Sequence, residues 1–122
     1  MKVYKYRTFR QWAKSERIDE NQLRCAIDEI ELGLFEAKLG GGLYKKRIAR
    51  KGQGKRDGYR TIIALKTNER AFFMYGFAKN ERDNIDIREL IVYRKLARHY
   101  FDLTDTQLNQ LIENGELFEV TR

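Results

Sequence analysis

Eight basic residues lie within the eighteen positions 43–60, and this density marks the part of the chain best suited to chemistry on a phosphate. They are Lys45, Lys46, Arg47, Arg50, Lys51, Lys55, Arg56 and Arg60, with Asp57 as the one acid among them. The segment carries a net charge of +7, as does the whole chain, so the remainder is neutral. Converging guanidinium and ammonium groups stabilise the negative charge of a phosphate. The pattern therefore favours contact with nucleic acid over a merely solvated surface.

Strand periodicity divides these cations between two faces of a sheet. Side chains alternate along the strand predicted at residues 43–50, so Lys45 and Arg47 share one face and Lys46 lies on the other. Arg60 belongs to the next predicted strand and can complete a cluster across the hairpin. We therefore expect Lys45, Arg47 and Arg60 to meet on one face.

Such a cluster suits the cleavage of RNA, because RNA carries its own nucleophile in the 2′-hydroxyl group. The reaction needs a base, in-line attack, stabilised charge on the pentavalent phosphorane and a proton for the leaving oxygen. Neighbouring cations lower the pKa of a lysine, since like charge disfavours its protonated form. Lys45 or Lys79 thus qualifies as the base without a histidine, while Arg47 and Arg60 clamp the phosphate.

Further residues of the basic segment are candidates for holding RNA. Tyr44 and Tyr59 lie on the strands that carry the cations, and tyrosine rings can stack on bases. The stretch Gly-Gln-Gly-Lys at 52–55 is not a Walker phosphate loop, which needs four residues between its glycines and a helix after it. We interpret it as a hairpin tip. The predicted RNA-binding residues are Tyr44, Arg50, Lys51, Lys55, Arg56, Tyr59 and Arg82.

Metal, disulfide and membrane functions are disfavoured by composition. Cys25 and His99 are the single cysteine and the single histidine, so we expect no metal and no other cofactor. The apolar neighbours of Cys25 predict a buried structural thiol, whereas the position of His99 predicts a solvated surface side chain. No apolar run approaches the roughly 18 residues of a membrane span, and no signal peptide opens the chain, which indicates a cytoplasmic protein.

The elements that must position these residues follow from periodicity and turn signals. A short strand at 2–6 precedes two helices, the second capped by Asp19. Three strands follow the triple glycine at 40–42. They are predicted at 43–50, 59–66 and 71–77, joined by hairpin-length connections that make them antiparallel. The second helix is expected to bury one face formed by Leu23, Ala26, Ile27, Ile30 and Leu34.

The C-terminal part of the chain returns to helix. Asp86 with Glu89, and Thr104 with Gln107, have the spacing of capping boxes. Gly115 ends the second of these helices, and a last short strand is expected after it. The order of elements predicts an α+β fold in one domain spanning residues 1–122.

Four stretches of the sequence resemble the RelE/HigB toxins of bacterial type II toxin–antitoxin modules. They are GGLYKKRIA at 41–49, KGQGKR at 51–56, GYRTII at 58–63 and YGFAKNE at 75–81. The resemblance runs from about residue 40 to residue 84, and the element order extends it over nearly the whole chain.

This resemblance implies a RelE-like fold, with a helical hairpin packed on an antiparallel sheet. It implies metal-independent cleavage of messenger RNA on the 70S ribosome, which inhibits translation, and neutralisation by a cognate antitoxin, expected to be a helix-turn-helix protein. The positions that carry the family's site are occupied here by Lys45, Arg47, Arg60 and Lys79. Several relatives also use a tyrosine or histidine near the C-terminus, for which this chain shows no equivalent.

Two other functions remain open from the sequence. The chain could bind nucleic acid or the ribosome without cutting RNA. It could also act like the related ParE toxins, which are directed at DNA gyrase, although the dense cations on the strands argue against that alternative. An acidic C-terminal segment, beginning at Asp102, is either structural or a cover for the basic face.

Overall fold

A computed structural model describes residues 1–50, 58–82 and 84–121 and shows an α+β fold, as predicted. The order of elements over these residues is β1 (Lys2–Tyr6), α1 (Arg7–Ser15), α2 (Glu20–Glu31), β2 (Ala37–Gly40), β3 (Leu43–Ile48), β4 (Tyr59–Lys66), β5 (Arg70–Ala78), α3 (Ile87–Phe101), α4 (Asp105–Glu113) and β6 (Leu117–Glu119). The predicted strand at 59–66 has the observed bounds, and the other strands differ from their predicted ends by two residues or fewer.

The strands form one mixed sheet in the order β2-β3-β4-β5-β1-β6. The predicted hairpins β3-β4 and β4-β5 are antiparallel, and the parallel pair is β1 with β5. β2 was not predicted, because its four residues carry no β-branched or aromatic side chain and end in the glycine run. It pairs with β3 through a turn at Gly41 and Gly42, both with positive φ.

Side-chain caps begin three of the helices, as their sequences predict. The Asp19 side chain accepts a hydrogen bond from the backbone N–H of Gln22 at the start of α2, and the Gln22 side chain accepts one from the backbone N–H of Asp19. Asp86 with Glu89 and Thr104 with Gln107 form the two predicted capping boxes of α3 and α4. Each box satisfies two backbone donors that have no partner within the helix.

Helices cover the sheet on both faces. On the face that we call the α1 face, Phe9 of α1 and Ile27 of α2 belong to one apolar cluster with Phe73 of β5. On the opposite face, the α3 face, Ala97 of α3 and Leu108 of α4 pack with strand residues including Leu43, Ile62, Ala64 and Phe72. Burial on both faces explains why β4 and β5 read as nearly continuous apolar runs.

Two expectations about α2 were wrong. The helix ends at Glu31, so Leu34 falls beyond its buried face and is 54% exposed. Cys25 is exposed rather than buried. It lies two residues after buried Leu23, about 200° around the helix, and so points away from the sheet. His99 on α3 is exposed, as predicted.

Within the described part of the chain, no helix combines the length and apolar character that crossing a membrane requires.

Candidate functional site

β3 and β4 bring three of the predicted catalytic residues together. Arg47 of β3 is the register partner of Arg60 of β4, and Lys45 is the partner of Ile62. Ile62 packs against α3 and α4, so alternation places Lys45, Arg47 and Arg60 on the α3 face. We call these three residues the cationic cluster. The sheet thus joins residues that are up to fifteen positions apart in the sequence.

Lys45 is a titratable group that this arrangement affects. Its pKa is lowered, first by burial and then by the positive charges of Arg60 and Arg47, while Glu36 acts in the opposite direction. The direction agrees with the expectation from the sequence, although burial is the larger cause. A lysine with a lowered pKa loses its proton more readily, which suits a general base.

Glu36 is a site residue that the sequence did not reveal, because it precedes the unpredicted strand β2. Its carboxylate accepts a hydrogen bond from the backbone N–H of Arg47. Its own backbone N–H donates to the carbonyl oxygen of Lys45, at 3.0 Å. These two contacts fix the segment of β3 that carries Lys45 and Arg47.

The two arginines of the cationic cluster have different surroundings. Arg60 is 4% exposed, and its Nη1 donates a hydrogen bond to the carbonyl oxygen of Gly58 at 3.0 Å. Arg47 is partly buried, and its Nε is covered without an acceptor among the described residues. Arg47 is partly exposed next to Arg60, so the pair provides positive charge that favours an anionic ligand.

Aromatic residues of β5 extend the α3 face beside the cationic cluster. Phe77 is the register partner of Arg60 and Tyr75 that of Ile62, and the Tyr75 and Phe77 ring centroids are 5.7 Å apart. The guanidinium of Arg82 lies over both rings, 5.7 Å and 5.5 Å from their centroids. Its Nη1 also donates to the Tyr75 hydroxyl, at 3.2 Å.

Arg82, predicted to bind RNA, is held within the protein. Its guanidinium donates to both carboxylate oxygens of Glu89, at 2.6 Å and 3.1 Å. The pairing raises the pKa of Arg82 and lowers the pKa of Glu89. Arg82 therefore ties the segment after β5 to the start of α3 rather than reaching out to a ligand.

The predicted base-stacking tyrosines are packed on the α1 face, which corrects their assignment. Tyr59 is 6% exposed, its hydroxyl donates to the carbonyl oxygen of Glu16 at 3.3 Å, and its ring meets Trp12 edge-on. Tyr44 packs against the same apolar cluster and against Phe35. Alternation from Lys45 directs Tyr44 to that face.

The other predicted residues lie outside β3 and β4. The guanidinium of Arg50 lies 5.0 Å from the centroid of the Tyr59 ring. Lys79 is exposed in the turn after β5, next to Ala78, which is the register partner of Tyr59 in β4. Lys51, Lys55 and Arg56, also predicted to bind RNA, lie outside the residues that the structure describes.

Two acids of the C-terminal segment, Asp105 and Glu119, lie away from β2 and β3. Asp105 pairs with Arg70 at 3.4 Å, and Glu119 is in β6, the edge strand furthest from β2 and β3. These contacts favour the structural interpretation of the segment over a cover for the basic residues of β3.

Comparison with known proteins agrees with this architecture. The family described as the RelE toxin of the RelE/RelB toxin–antitoxin system matches residues 1–120. A search of curated proteins finds no matching relative. The match spans both helical layers, the sheet and all three residues of the cationic cluster. The chain therefore belongs to the RelE family of toxins, which pair with an antitoxin in toxin–antitoxin modules.

Proposed function

We propose that this RelE-family toxin is a ribosome-dependent endoribonuclease, an mRNA interferase that cuts messenger RNA and thereby inhibits translation. The observation that carries the proposal is Lys45, whose pKa is lowered by burial and by its two arginine neighbours. A lysine that can lose its proton beside two guanidinium groups combines a base with charge stabilisation, and both are needed for transesterification of RNA.

In the proposed reaction, Lys45 accepts the proton of the 2′-hydroxyl group as its oxygen attacks the adjacent phosphorus. The guanidinium of Arg47, whose Nε lacks an acceptor among the described residues, binds a non-bridging oxygen of the phosphate. Arg60, buried beside Arg47 on the neighbouring strand, adds positive potential without needing direct contact. Lys79, exposed at the end of β5, is our candidate for giving a proton to the leaving 5′-oxygen.

The ribosome would supply what the small toxin lacks. In-line attack needs the 2′-oxygen, the phosphorus and the leaving oxygen aligned, and a free RNA strand rarely holds that geometry. Orientation of reacting groups contributes several kcal/mol to a reaction. A message held in the ribosomal A site would arrive already oriented, and so the toxin itself needs only to add the base and the cations. A cognate antitoxin, expected to be a helix-turn-helix protein, would keep this activity off.

The test is primer extension on a message translated in a purified system, with the wild-type toxin and with Lys45→Arg added separately. We expect cuts within codons for the wild type and a loss of about 10² to 10⁴ in cleavage rate for Lys45→Arg, which keeps the charge but stays protonated. Arrested translation with intact message would instead indicate a protein that only binds. Inhibition of DNA supercoiling with no effect on translation would indicate a gyrase-directed toxin.

A further inference from the structure

A second group of cations lines an open cleft on the α3 face, away from the cationic cluster. The cleft has a volume of about 660 Å³ and lies between the C-terminal half of α3 and the strand ends at Gly42 and Leu65. Its basic lining residues are Lys66, Arg94, Lys95 and Arg98, with Asp102 as the acidic one. None of these residues takes part in the reaction proposed above. We call this feature the α3 cleft.

Glycines allow the α3 cleft to form. Gly40, Gly41 and Gly42 have φ values of +83°, +63° and +83°, a conformation that other residues rarely adopt. The Nε of Arg94 donates to the carbonyl oxygen of Leu39 at 2.7 Å, and this side chain lies against Gly40 and Gly41. A Cβ at Gly42 would lie 2.7 Å from the ring of Phe101. The close approach of α3 to this turn therefore depends on the glycines.

The charges of the α3 cleft are only partly balanced. Lys66 pairs with Glu69 at 3.0 Å. Within the described residues, no ion pair connects Arg94, Lys95 or Arg98 to an acid, and all three side chains are exposed. Three cations within about one turn of helix beside an open cleft produce a locally positive potential, which favours a polyanionic ligand.

The α3 cleft and the cationic cluster lie at opposite ends of β3. Gly42 precedes the first residue of β3 and Arg47 lies near its end, so the two sites are separated by roughly 17 Å along one strand. Both are on the same face of the sheet. When RNA occupies the cationic cluster, the same strand can therefore extend to the α3 cleft, or a neighbouring RNA segment can bind there.

We propose that the α3 cleft is a second RNA site, which binds phosphate groups of RNA outside the cleaved linkage and anchors the toxin on its target. The inference rests on the proposed function for the identity of the target, but it concerns binding and not catalysis. The ligand chemistry is the phosphodiester backbone, supplied by ribosomal RNA or by the message.

The experiment compares two pairs of substitutions in a Lys45→Ala background, so that the message stays intact. Lys95→Ala with Arg98→Ala removes two charges from the α3 cleft. Arg7→Ala with Lys14→Ala is the matched control, since both residues are exposed on α1, on the opposite face of the sheet. Binding to purified ribosomes, with and without message, is measured by sedimentation over a range of salt concentrations.

We expect the cleft pair to weaken binding at least tenfold and to reduce the slope of log affinity against log salt by about 1.5, as two lost phosphate contacts imply. The control pair should change the slope by less than half as much, and Lys95→Arg with Arg98→Lys should bind as the parent does. Weaker binding to empty ribosomes as well identifies ribosomal RNA as the ligand, whereas an effect only with message present identifies messenger RNA.

Equal salt slopes for the cleft pair and the control pair would overturn the proposal. It would also be overturned if the cleft pair bound ribosomes normally but no longer formed a complex with the antitoxin, since the cleft would then be a protein-docking surface. Absence of cleavage by the wild-type toxin, with the binding differences intact, would contradict the proposed function alone. Thermal melting of each variant checks that the fold is preserved.

Discussion

At the scale of single residues, Lys45 and Lys46 show how position on a strand decides the role of a side chain. They are adjacent and chemically identical. Lys45 lies on the α3 face beside two arginines, whereas Lys46 lies on the α1 face, is 2% exposed and pairs with Glu29 of α2 at 3.5 Å. We therefore assign Lys45 to the proposed chemistry and Lys46 to the attachment of α2 to the sheet.

Lys45 should make cleavage depend on pH. A base must be unprotonated, so the rate on bound ribosomes should rise with pH and level off below 10.5, the ordinary lysine value, because the pKa of Lys45 is lowered. Lys45→Arg should remove this dependence along with most of the rate. Single-turnover rates measured across the range in which ribosomes remain intact provide the check. An unchanged pH profile in Lys45→Arg would exclude Lys45 as the base.

Lys45 should also oppose folding stability. A lysine whose pKa is lowered in the folded state binds its proton more tightly in the unfolded chain, so stability increases as pH rises between the folded pKa and 10.5. Lys45→Met removes that proton and should raise the melting temperature at neutral pH while abolishing cleavage. Thermal melts at several pH values test this, and a lower melting temperature in the variant would contradict it.

Lys46→Met is the matched test on the other face. Methionine fills a similar volume, and Glu29 is 29% exposed, so its carboxylate can regain water once the lysine is gone. We expect a change in unfolding free energy within about 1.5 kcal/mol and a cleavage rate within a few-fold of the wild type. A loss of cleavage as large as that in Lys45→Arg would mean that Lys46 serves the site after all.

At the scale of elements, Glu89 connects the start of α3 to the segment that follows β5. Its side chain completes the capping box with Asp86 and also holds Arg82. Glu89→Gln keeps a capping side chain but loses the charge, and Glu89→Ala loses both. We expect losses of under about 1 kcal/mol for Gln and roughly 1 kcal/mol more for Ala.

The pH dependence separates the two roles of Glu89. Because its pKa is lowered in the folded protein, its charged form stabilises the fold above its ordinary pKa of 4.5, and this contribution is lost as pH falls below that value. The stability difference between the wild type and Glu89→Gln should therefore shrink in acid. The extra loss in Glu89→Ala should shrink less. Chemical denaturation at neutral pH and near pH 4 provides the measurement. If the ion pair contributed nothing, the wild type and Glu89→Gln would differ in unfolding free energy by the same amount at both pH values.

The close contact between α1 and β5 depends on a glycine in β5. Gly76 is buried, and a Cβ there would overlap the six-membered ring of Trp12. Gly76→Ala should destabilise the protein by about 1–3 kcal/mol through overpacking. In a Trp12→Ala background the same substitution should be much less harmful, since the overlapping ring is gone. A double-mutant cycle from denaturation curves gives the coupling, and additive losses would show that the overlap is relieved elsewhere.

At the scale of the whole molecule, the chain separates a cationic surface from an acidic edge. The cationic cluster and the α3 cleft share the α3 face. Of the C-terminal acids, Asp102 lines the α3 cleft, whereas Glu119 lies in β6, at the opposite edge of the sheet from β2. Besides Met1, the large apolar residues exposed in the described part of the chain lie at two places, after α2 and on α3. They are Leu32, Leu34, Ile87, Ile91 and Val92. A partner that covers either region would bury these side chains.

The antitoxin provides the whole-molecule test. Expression of the toxin alone should arrest growth, and co-expression with the antitoxin encoded beside it should restore growth and give one complex on a sizing column. Hydrogen exchange should slow at β3, at the end of α2 or along α3 when the complex forms. Growth arrest that persists despite co-expression, with no complex on the column, would contradict this prediction.

The sequence alone determined the class of fold, most of the elements and the concentration of positive charge in one segment. These follow from local physics: capping spacings such as Asp86 with Glu89, turn residues and apolar periodicity all act within a few residues. Alternation even placed Lys45 and Arg47 on one face. The family resemblance came from the same local stretches.

Only the tertiary structure decided which residues meet. The pairing of Glu36 with β3, the retention of Arg82 by Glu89 and the burial of Tyr59 against Trp12 all join residues through packing, which no local pattern encodes. Burial likewise proved a larger cause of the lowered pKa of Lys45 than its neighbours in the basic segment. The density of charge can be counted along the sequence. The solvent exposure and the partners of each charged side chain, however, depend on helices and strands that are distant in the sequence and pack against it.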